Sequence, residues 1–300
     1  IPFALYENPK TLRITISFKT KLLVAIVLNN ATILRASRAF SALLFFVVLH
    51  FFCYDKNMEA HPLIVANWKM NTTLADAIVA FEAIKIGLEP LDDVKVVVCP
   101  PFPWLAVLAE KNQERPIRHL SIGSQNVSQF VGGAYTGEVS ASMLKNIVDY
   151  AIVGHSERVA HFHELPAETN QKIKLLLKNK ITPIVCVGEK HKNKNSIQQV
   201  LETTAKIFKD LSQKQIQASV IAYEPVWAIS SNPHAEPATG DYAEKVAHTL
   251  ALNFKTKIIY GGSVNAKNIR EFTIGEHIAG ALVGHASLSA REFIQIIKKA

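Results

Sequence analysis

The sequence contains few cysteines and few charged residues. Its three cysteines stand at positions 53, 99 and 186, and no two of them form a CxxC pair. A disulfide framework or a cysteine zinc site is therefore not expected, and a reducing, cytoplasmic compartment fits better. Charged residues make up 19% of the chain against 49% for apolar residues, a balance typical of a globular protein rather than a disordered one.

An uninterrupted apolar run long enough to cross a bilayer is also missing. The run AFSALLFFVVLHFFCY (39–54) has 16 residues and includes a serine and a histidine, whereas a span needs about 20 apolar residues. Arg35 and Arg38 precede it as in a signal peptide, but no small-residue cleavage site follows. Residues 1–57 are either an anchor or export segment, or sequence upstream of a start at Met58. The second interpretation is favoured. No membrane contact is expected unless residues 1–57 are part of the protein.

Excess positive charge is concentrated in the same N-terminal segment. The whole chain carries a net charge of +8, and residues 1–57 hold seven Lys or Arg against two Asp or Glu. Residues 58–300 are left with +3, which does not indicate a nucleic-acid partner. The basic stretch EKHKNKN (189–195) is interpreted as a solvated loop.

From Leu63 onward, apolar strand-like runs alternate with segments of helical periodicity. The strand-like runs are 63–68, 94–100, 120–126, 150–155, 182–188, 219–224, 257–262 and 279–284. Strands that are apolar on both faces and separated by helices indicate a parallel sheet. Eight such units in about 240 residues match a single-domain (β/α)₈ barrel over residues 58–300. A doubly wound open sheet is the alternative, but the first βα turn lacks G-x-G-x-x-G.

Polar side chains recur where the predicted strands end. They belong to Asn67 and Lys69, Gln125 and Asn126, His155, Glu189, Glu224, Ser263 and His285, the last of which follows Gly284. Because a barrel of this kind places its chemistry at the carboxyl ends of the strands, this set predicts an active site.

Two glycine-containing turns follow the last two strands. YGGSV (260–264) and ALVGHAS (281–287) each join a strand to a short helix. Backbone N–H groups at such turns bind phosphate, and barrels often hold phosphate after strands seven and eight. The predicted substrate is therefore a small phosphate ester.

Glu224 is an acidic residue at the mouth of a buried strand. No Ser/His/Asp or Cys/His set is evident, no ligand set has metal spacing, and HFH (161–163) is interpreted as surface. One carboxylate, one imidazole and one lysine remain beside the predicted phosphate site. This set suits proton abstraction next to a carbonyl, with the carboxylate as the base and the other two groups stabilising an enediolate.

Eight motifs resemble those of the triosephosphate isomerase family and occur in its order: ANWKMN, GSQN, GAYTGEVS, IVGHSER, CVGE, AYEPVWAI, YGGSV and ALVGHASL. The resemblance covers residues 63–300. It implies interconversion of dihydroxyacetone phosphate and D-glyceraldehyde 3-phosphate, with no cofactor and no metal. Glu224 would shuttle the proton, His155 would polarise the carbonyl, Lys69 would supply positive charge, and Asn67 would orient the substrate oxygens.

The resemblance also implies the residues that support this reaction. Glu157 would support Lys69, and Glu189, Trp227 and Tyr260 are further supporting residues. Phosphate would be held by backbone N–H groups of Ser230, Ser263, Gly284 and His285.

A long loop, NVSQFVGGAYTG (126–137), carries Phe130, Val131 and Tyr135 on an expected surface. Exposed apolar groups on a long loop indicate a partner surface. In the family this loop enters a pocket of the second subunit, with the position of Thr136 near the catalytic residues, so a homodimer is expected. A self-packed loop is the alternative.

Two stretches depart from the family. Where the family has a glycine-rich lid close to GTGK, this chain reads SSNPHAEPATG, with Ser230 and Asn232 in place of glycines and Pro233 restricting the backbone. We expect a stiffer flap and a raised KM. His285 stands where the family usually has a second glycine, and when protonated it would add a cation near the phosphate.

These departures leave two other interpretations open. The chain could be a catalytically impaired barrel that serves as a binding protein, or a different phosphate-ester isomerase on the same fold. The intact Glu224, His155, Lys69 and Asn67 favour the isomerase.

Overall fold

A closed barrel of eight parallel strands forms the centre of the protein. The computed structural model describes residues 61–229, 236 and 238–300, so the predictions for residues 1–57 lie outside the described residues. The strands are β1 (Leu63–Asn67), β2 (Lys95–Cys99), β3 (Leu120–Ser124), β4 (Tyr150–Val153), β5 (Thr182–Val187), β6 (Val220–Tyr223), β7 (Lys257–Tyr260) and β8 (Ile278–Val283). They are hydrogen-bonded in chain order, and β8 pairs with β1 to close the barrel. The predicted (β/α)₈ barrel is confirmed, and the alternative of an open sheet is wrong.

The observed strands lie within two residues of the predicted ones at each end. The differences fall mainly at the carboxyl ends, where several predicted strands ran too far. At the end of β4, for example, Gly154 adopts a left-handed φ of +68° and turns the chain out of the sheet before His155. A side chain there would be strained and would meet Thr169, which explains the glycine.

Helices cover the outside of the barrel. They are α1 (Leu74–Leu88), α2 (Leu105–Glu114), α3 (Ala141–Leu144), α4 (Ser156–Phe162), α5 (Pro166–Lys178), α6 (Ser196–Ile207), α7 (Gln213–Gln217), α8 (Gly240–Phe254), α9 (Ile269–Thr273) and α10 (Ala290–Lys299). Within the described part of the chain, no helix is both long and apolar enough to cross a membrane.

Local side-chain caps define where several helices begin. Thr73 and Asp76 form a reciprocal capping box at α1, and Ser289 accepts a hydrogen bond from the N–H of Glu292 at α10. Such caps satisfy N–H groups that have no partner inside the helix, and each typically contributes about 1 kcal/mol. The helix positions are thus set partly by residues adjacent in sequence.

The apolar core has two layers because each strand buries both of its faces. Inside the barrel, the side chains come from all of the strands except β3 and include Val65, Val97, Ile184 and Leu282. The other layer lies between strands and helices and includes Phe81. Burying a side chain of this size fully contributes about 1.5–3 kcal/mol, so the two layers account for much of the stability. Since all strands run parallel, their carboxyl ends meet on one face.

Candidate active site

A cavity of about 200 Å³ opens at the carboxyl ends of the strands. Seven of the predicted site residues line it together: Asn67, Lys69, His155, Glu224, Ser263, Gly284 and His285. These residues come from the ends of β1, β4, β6, β7 and β8. Barrel closure therefore brings together the carboxylate, the imidazole, the lysine and both glycine-containing turns.

Glu224 directly follows β6 and its side chain is almost fully buried, with 2% of the residue exposed. Its backbone N–H donates to the carbonyl of Val187 at 2.8 Å, which ties it to the end of β5. The carboxylate accepts a hydrogen bond from the backbone N–H of Ser156 at 3.4 Å, and its other oxygen faces His155. The Glu224 carboxylate thus lies at the cavity wall between the N-terminus of α4 and His155.

Gly261 makes the space that the Glu224 side chain occupies. A Cβ atom at position 261 would lie 2.6 Å from Cγ of Glu224, too close for any real contact. The first glycine of YGGSV was predicted from the sequence to belong to a phosphate-binding turn. In the structure, the atoms closest to a Cβ at this position belong to the Glu224 side chain. The sequence did not indicate this role for Gly261.

His155 lies at the N-terminus of α4 and is 7% exposed. Its Nδ1 atom accepts a hydrogen bond from the backbone N–H of Glu157 at 3.2 Å. A nitrogen that accepts carries no proton, so in the neutral imidazole this contact favours the tautomer with the proton on Nε2. Nε2 is the nitrogen that faces Glu224, which leaves an N–H donor directed at the cavity.

Lys69 has an unusual backbone conformation and a charged partner. Its φ is +53°, a region that non-glycine residues rarely adopt. Its backbone N–H donates to the side chain of Asn67 at 3.0 Å, and its Nζ lies 2.5 Å from Oε1 of Glu157. Asn67 and Glu157 thus hold the backbone and the ammonium group of Lys69, respectively.

Gln125 secures the same backbone from the other side. Its side-chain amide donates to the carbonyl of Lys69 at 2.8 Å and to the carbonyl of Cys99 at 2.9 Å. The sequence placed Gln125 at a strand end but indicated no role for it. Strained conformations persist only when surrounding contacts determine them, so Gln125 helps to keep Lys69 in its left-handed conformation.

Glu189 lies behind the cavity and collects hydrogen bonds from three aromatic side chains. Tyr223 and Trp227 donate to it at 3.1 Å and 2.8 Å, and Tyr242 donates at 3.1 Å. Burial, followed by the nearby Glu189 carboxylate, raises the pKa of Tyr223 and of Tyr242, so both hydroxyls stay protonated as donors. Trp227 belongs to the one-turn 3₁₀ helix Val226–Ala228 that follows Glu224.

Tyr260, the other predicted supporting residue, is 1% exposed at the end of β7. Its ring stacks on Phe272 with centroids 3.9 Å apart and lies 6.3 Å from the ring of Tyr223. Burial raises its pKa, and the Glu189 carboxylate adds to this shift. The Tyr260 hydroxyl lies against Gly262, in the turn that carries Ser263.

A buried charged network beneath His155 was not predicted from the sequence. Glu164 accepts from Lys172 at 2.6 Å, from Arg158 at 2.8 Å and from the N–H of Gly154 at 3.3 Å. Burial alone would raise the pKa of Glu164, but the charges and hydrogen bonds of Lys172 and Arg158 outweigh it and lower this pKa. Lys172 also donates to Asn126 at 2.9 Å. The network joins α5 to the ends of β3 and β4.

Two cysteines lie near this site, and both are buried. Burial raises the pKa of Cys186 well above its ordinary value, and the Glu224 carboxylate raises it further. Burial likewise raises the pKa of Cys99. Since the thiolate is the nucleophilic form, neither residue is suited to nucleophilic catalysis.

The predicted phosphate-binding turns after β7 and β8 form one end of the cavity. The Ser263 hydroxyl donates to the carbonyl of Ala228 at 2.8 Å, and Asn268 donates to the carbonyl of Ser263 at 2.9 Å. His285 begins the short 3₁₀ helix His285–Leu288, and its side chain is exposed. Ser230 and the lid predictions for residues 230–235 and 237 lie outside the described residues.

The long loop after β3 contributes no residue to the lining of the cavity. Residues 131–138, which include Thr136, are all exposed. Phe130 and Tyr135 stack within the loop at 3.7 Å, while Val131 remains 67% exposed. Thr136 therefore does not line the active-site cavity of its own chain.

Comparison with known proteins gives one consistent family. The sequence model described as Triosephosphate isomerase matches residues 62–300. A protein named Triosephosphate isomerase from Dehalococcoides mccartyi is 42% identical over 247 residues, covering 79% of this chain and 96% of the relative. Proteins of the same name from Endomicrobium trichonymphae and Herpetosiphon aurantiacus are 38% and 39% identical, each covering 79% of this chain and 98% of the relative.

Proposed function

The chain belongs to the triosephosphate isomerase family and is an isomerase, and from that premise we propose how its cavity performs the reaction. The substrate is a triose phosphate, and the reaction interconverts dihydroxyacetone phosphate and D-glyceraldehyde 3-phosphate as a step of glycolysis and gluconeogenesis. The observation that carries this proposal is the single cavity in which Glu224, His155 and Lys69 face the two glycine-containing turns.

Glu224 is the base in this mechanism. Its carboxylate removes a proton from the carbon next to the carbonyl and returns it to the former carbonyl carbon, while the proton of the neighbouring hydroxyl passes to the former carbonyl oxygen, so the proton count is unchanged over the reaction. Burial supports this role, because a poorly solvated carboxylate is not stabilised by water. Gly261 supports it as well, since only a glycine leaves room for the carboxylate.

His155 stabilises the negative charge that develops on the carbonyl oxygen. Its Nε2–H can donate to that oxygen because Nδ1 is already occupied as an acceptor. Lys69 contributes a positive charge to the enediolate and the phosphate, and Asn67 orients the substrate oxygens. Preorganised donors of this kind lower the barrier because they need little rearrangement during the reaction.

Phosphate binds at the opposite end of the cavity, to backbone N–H groups of Ser263, Gly284 and His285, with Ser230 as a fourth donor. Ser263 is anchored through its hydroxyl to Ala228, in the turn that follows the base. This contact supports a coupling between phosphate binding and the position of the Glu224 segment. No cofactor or metal takes part in the proposed steps, and residues 58–300 form the cytoplasmic catalytic domain.

We further propose that the working form is a homodimer. Met70, next to the catalytic lysine, is 96% exposed. Val131 and Tyr135 in the long loop are 67% and 44% exposed. A second cavity of about 350 Å³ lies beside Lys69 and is lined partly by Trp68 and Asn71. Its place next to the active site supports insertion of the long loop of a second copy, with Thr136 at the contact.

A coupled assay tests the proposed activity. The purified chain should convert D-glyceraldehyde 3-phosphate to dihydroxyacetone phosphate, and a chelator should not change the rate. Absence of turnover with both triose phosphates would contradict the proposal and favour a barrel that binds phosphate esters without isomerising them.

A further inference from the structure

Lys192 extends from the basic loop between β5 and α6 over two aromatic rings. The loop, residues 189–195, is exposed from Lys190 to Asn195. The Nζ atom of Lys192 nevertheless lies 5.0 Å from the ring centroid of Trp227 and 5.1 Å from that of Tyr242. Both distances fall within the range of a cation–π interaction, which is strongest with tryptophan. The stretch interpreted from sequence as a solvated loop thus places one of its lysines in a defined position.

The two rings are themselves held by one buried carboxylate. Trp227 Nε1 and the Tyr242 hydroxyl both donate to Oε1 of Glu189, at 2.8 Å and 3.1 Å. The rings pack edge to face with centroids 5.8 Å apart. Lys192, Trp227, Tyr242 and Glu189 therefore form one cluster, named here the Glu189 cluster, with the ammonium group on its outer side.

The Glu189 cluster is connected to the catalytic base through a short piece of backbone. Trp227 is three residues after Glu224 in the chain, within the one-turn helix Val226–Ala228. The N–H of Val226 donates to the carbonyl of Glu189 at 3.1 Å. A displaced Trp227 ring would change how this turn packs against Glu189, and the turn continues directly from the backbone that carries the Glu224 carboxylate.

We propose that Lys192 is a positioning residue for the Glu224 carboxylate, acting through the rings of Trp227 and Tyr242. Its ammonium group restrains the Trp227 ring between Tyr242 and solvent, and so limits the orientations of the turn that follows the base. The inference rests on the isomerase activity proposed above. Lys192 does not line the active-site cavity, so its removal should affect turnover more than substrate binding.

Three variants test the proposal. Lys192→Met removes the cation and keeps an apolar side chain of similar length, Lys192→Arg keeps a cation that can lie on the rings, and Lys194→Met removes a charge from the same exposed loop. Both methionine variants change the net charge equally, so long-range electrostatic effects on the anionic substrate cancel in the comparison.

The expected result is a fall in kcat of about threefold to tenfold for Lys192→Met, with KM within about twofold of the wild type. Lys192→Arg should restore kcat, and Lys194→Met should leave it unchanged. The tryptophan emission spectrum, recorded without substrate, should shift in Lys192→Met only, because Trp227 loses an adjacent charge.

A kcat for Lys192→Met equal to that of Lys194→Met would overturn the proposal, as would failure of arginine to restore turnover. The failure of the proposed function has a different signature. In that case the wild-type protein itself is inactive, whereas the emission shift still reports whether Lys192 lies on Trp227.

Discussion

The Nε2 atom of His155 lies 3.4 Å from Oε1 of Glu224. The two groups have different roles even though they face each other. The Nδ1 contact with the N–H of Glu157 leaves His155 as an N–H donor toward the cavity, while Glu224 is an acceptor. A carbonyl oxygen near the imidazole would therefore place its neighbouring carbon within reach of the carboxylate, which is the arrangement that proton transfer through an enediolate requires.

Glu224→Gln should abolish most of the turnover. The amide is nearly the same size as the carboxylate but cannot accept a proton, so kcat should fall by at least about 10²–10⁴-fold. Glu202→Gln on the exposed face of α6 is the matched control and should be fully active. Steady-state kinetics in both directions measure the effect. Near-normal turnover in Glu224→Gln would assign the base to another residue.

Gly261→Ala should displace the base without removing it. The added methyl group would lie 2.6 Å from Cγ of Glu224, so the carboxylate must move. A displacement of about 1 Å can reduce the rate by about 10²-fold. Steady-state kinetics with both triose phosphates measure the effect. A wild-type rate for Gly261→Ala would show that the Glu224 side chain adapts to the smaller space.

Glu164→Gln should destabilise the fold and reduce its sensitivity to acid. The variant leaves Lys172 buried without its anionic partner, which costs about 3 kcal/mol near neutral pH. Since the folded-state pKa of Glu164 is lowered, its stabilising effect is fully present above the pKa of the unfolded chain, about 4.3, and is lost as the pH falls through the folded-state value.

Denaturant unfolding at pH 7, 5 and 3 measures this dependence. The stability difference between the wild type and Glu164→Gln should be largest at pH 7 and should narrow toward pH 3. Glu202→Gln again serves as the control, because its carboxylate is exposed and should show no comparable change. A stability difference that stays constant from pH 7 to pH 3 would mean that Glu164 has the same pKa in the folded protein as in the unfolded chain.

Thr136→Arg should separate the proposed dimer. Thr136 is exposed in the isolated chain, so the arginine costs little within one subunit. At an interface it would introduce an unpaired charge. Light scattering should give twice the mass of one chain for the wild type and the mass of one chain for the variant. The variant should also have a reduced kcat. Gln198→Arg adds the same charge on α6 and should remain dimeric. A wild-type protein that is monomeric at micromolar concentration would exclude the dimer.

Much of the barrel could be predicted from local sequence patterns. Runs such as SVIAYE and TPIVCVG are apolar on both faces because β6 and β5 are buried inside and out. Asn67, His155 and Glu224 could be assigned to one site because a parallel barrel brings its strand ends to one face. Strand ends were less accurate, since they depend on turns such as the left-handed Gly154.

The sequence by itself determined the alternation of buried strands and amphipathic helices, and with it which polar residues stand at the strand ends. Only the tertiary structure decided how those residues are held. Gln125 reaches the carbonyl of Lys69 across 56 positions of sequence, and Tyr242 reaches Glu189 across 53. Periodicity reports which face of an element is buried, because that is a local property of the chain. Hydrogen bonds between distant side chains depend on the closed geometry of the barrel, and no local pattern encodes them.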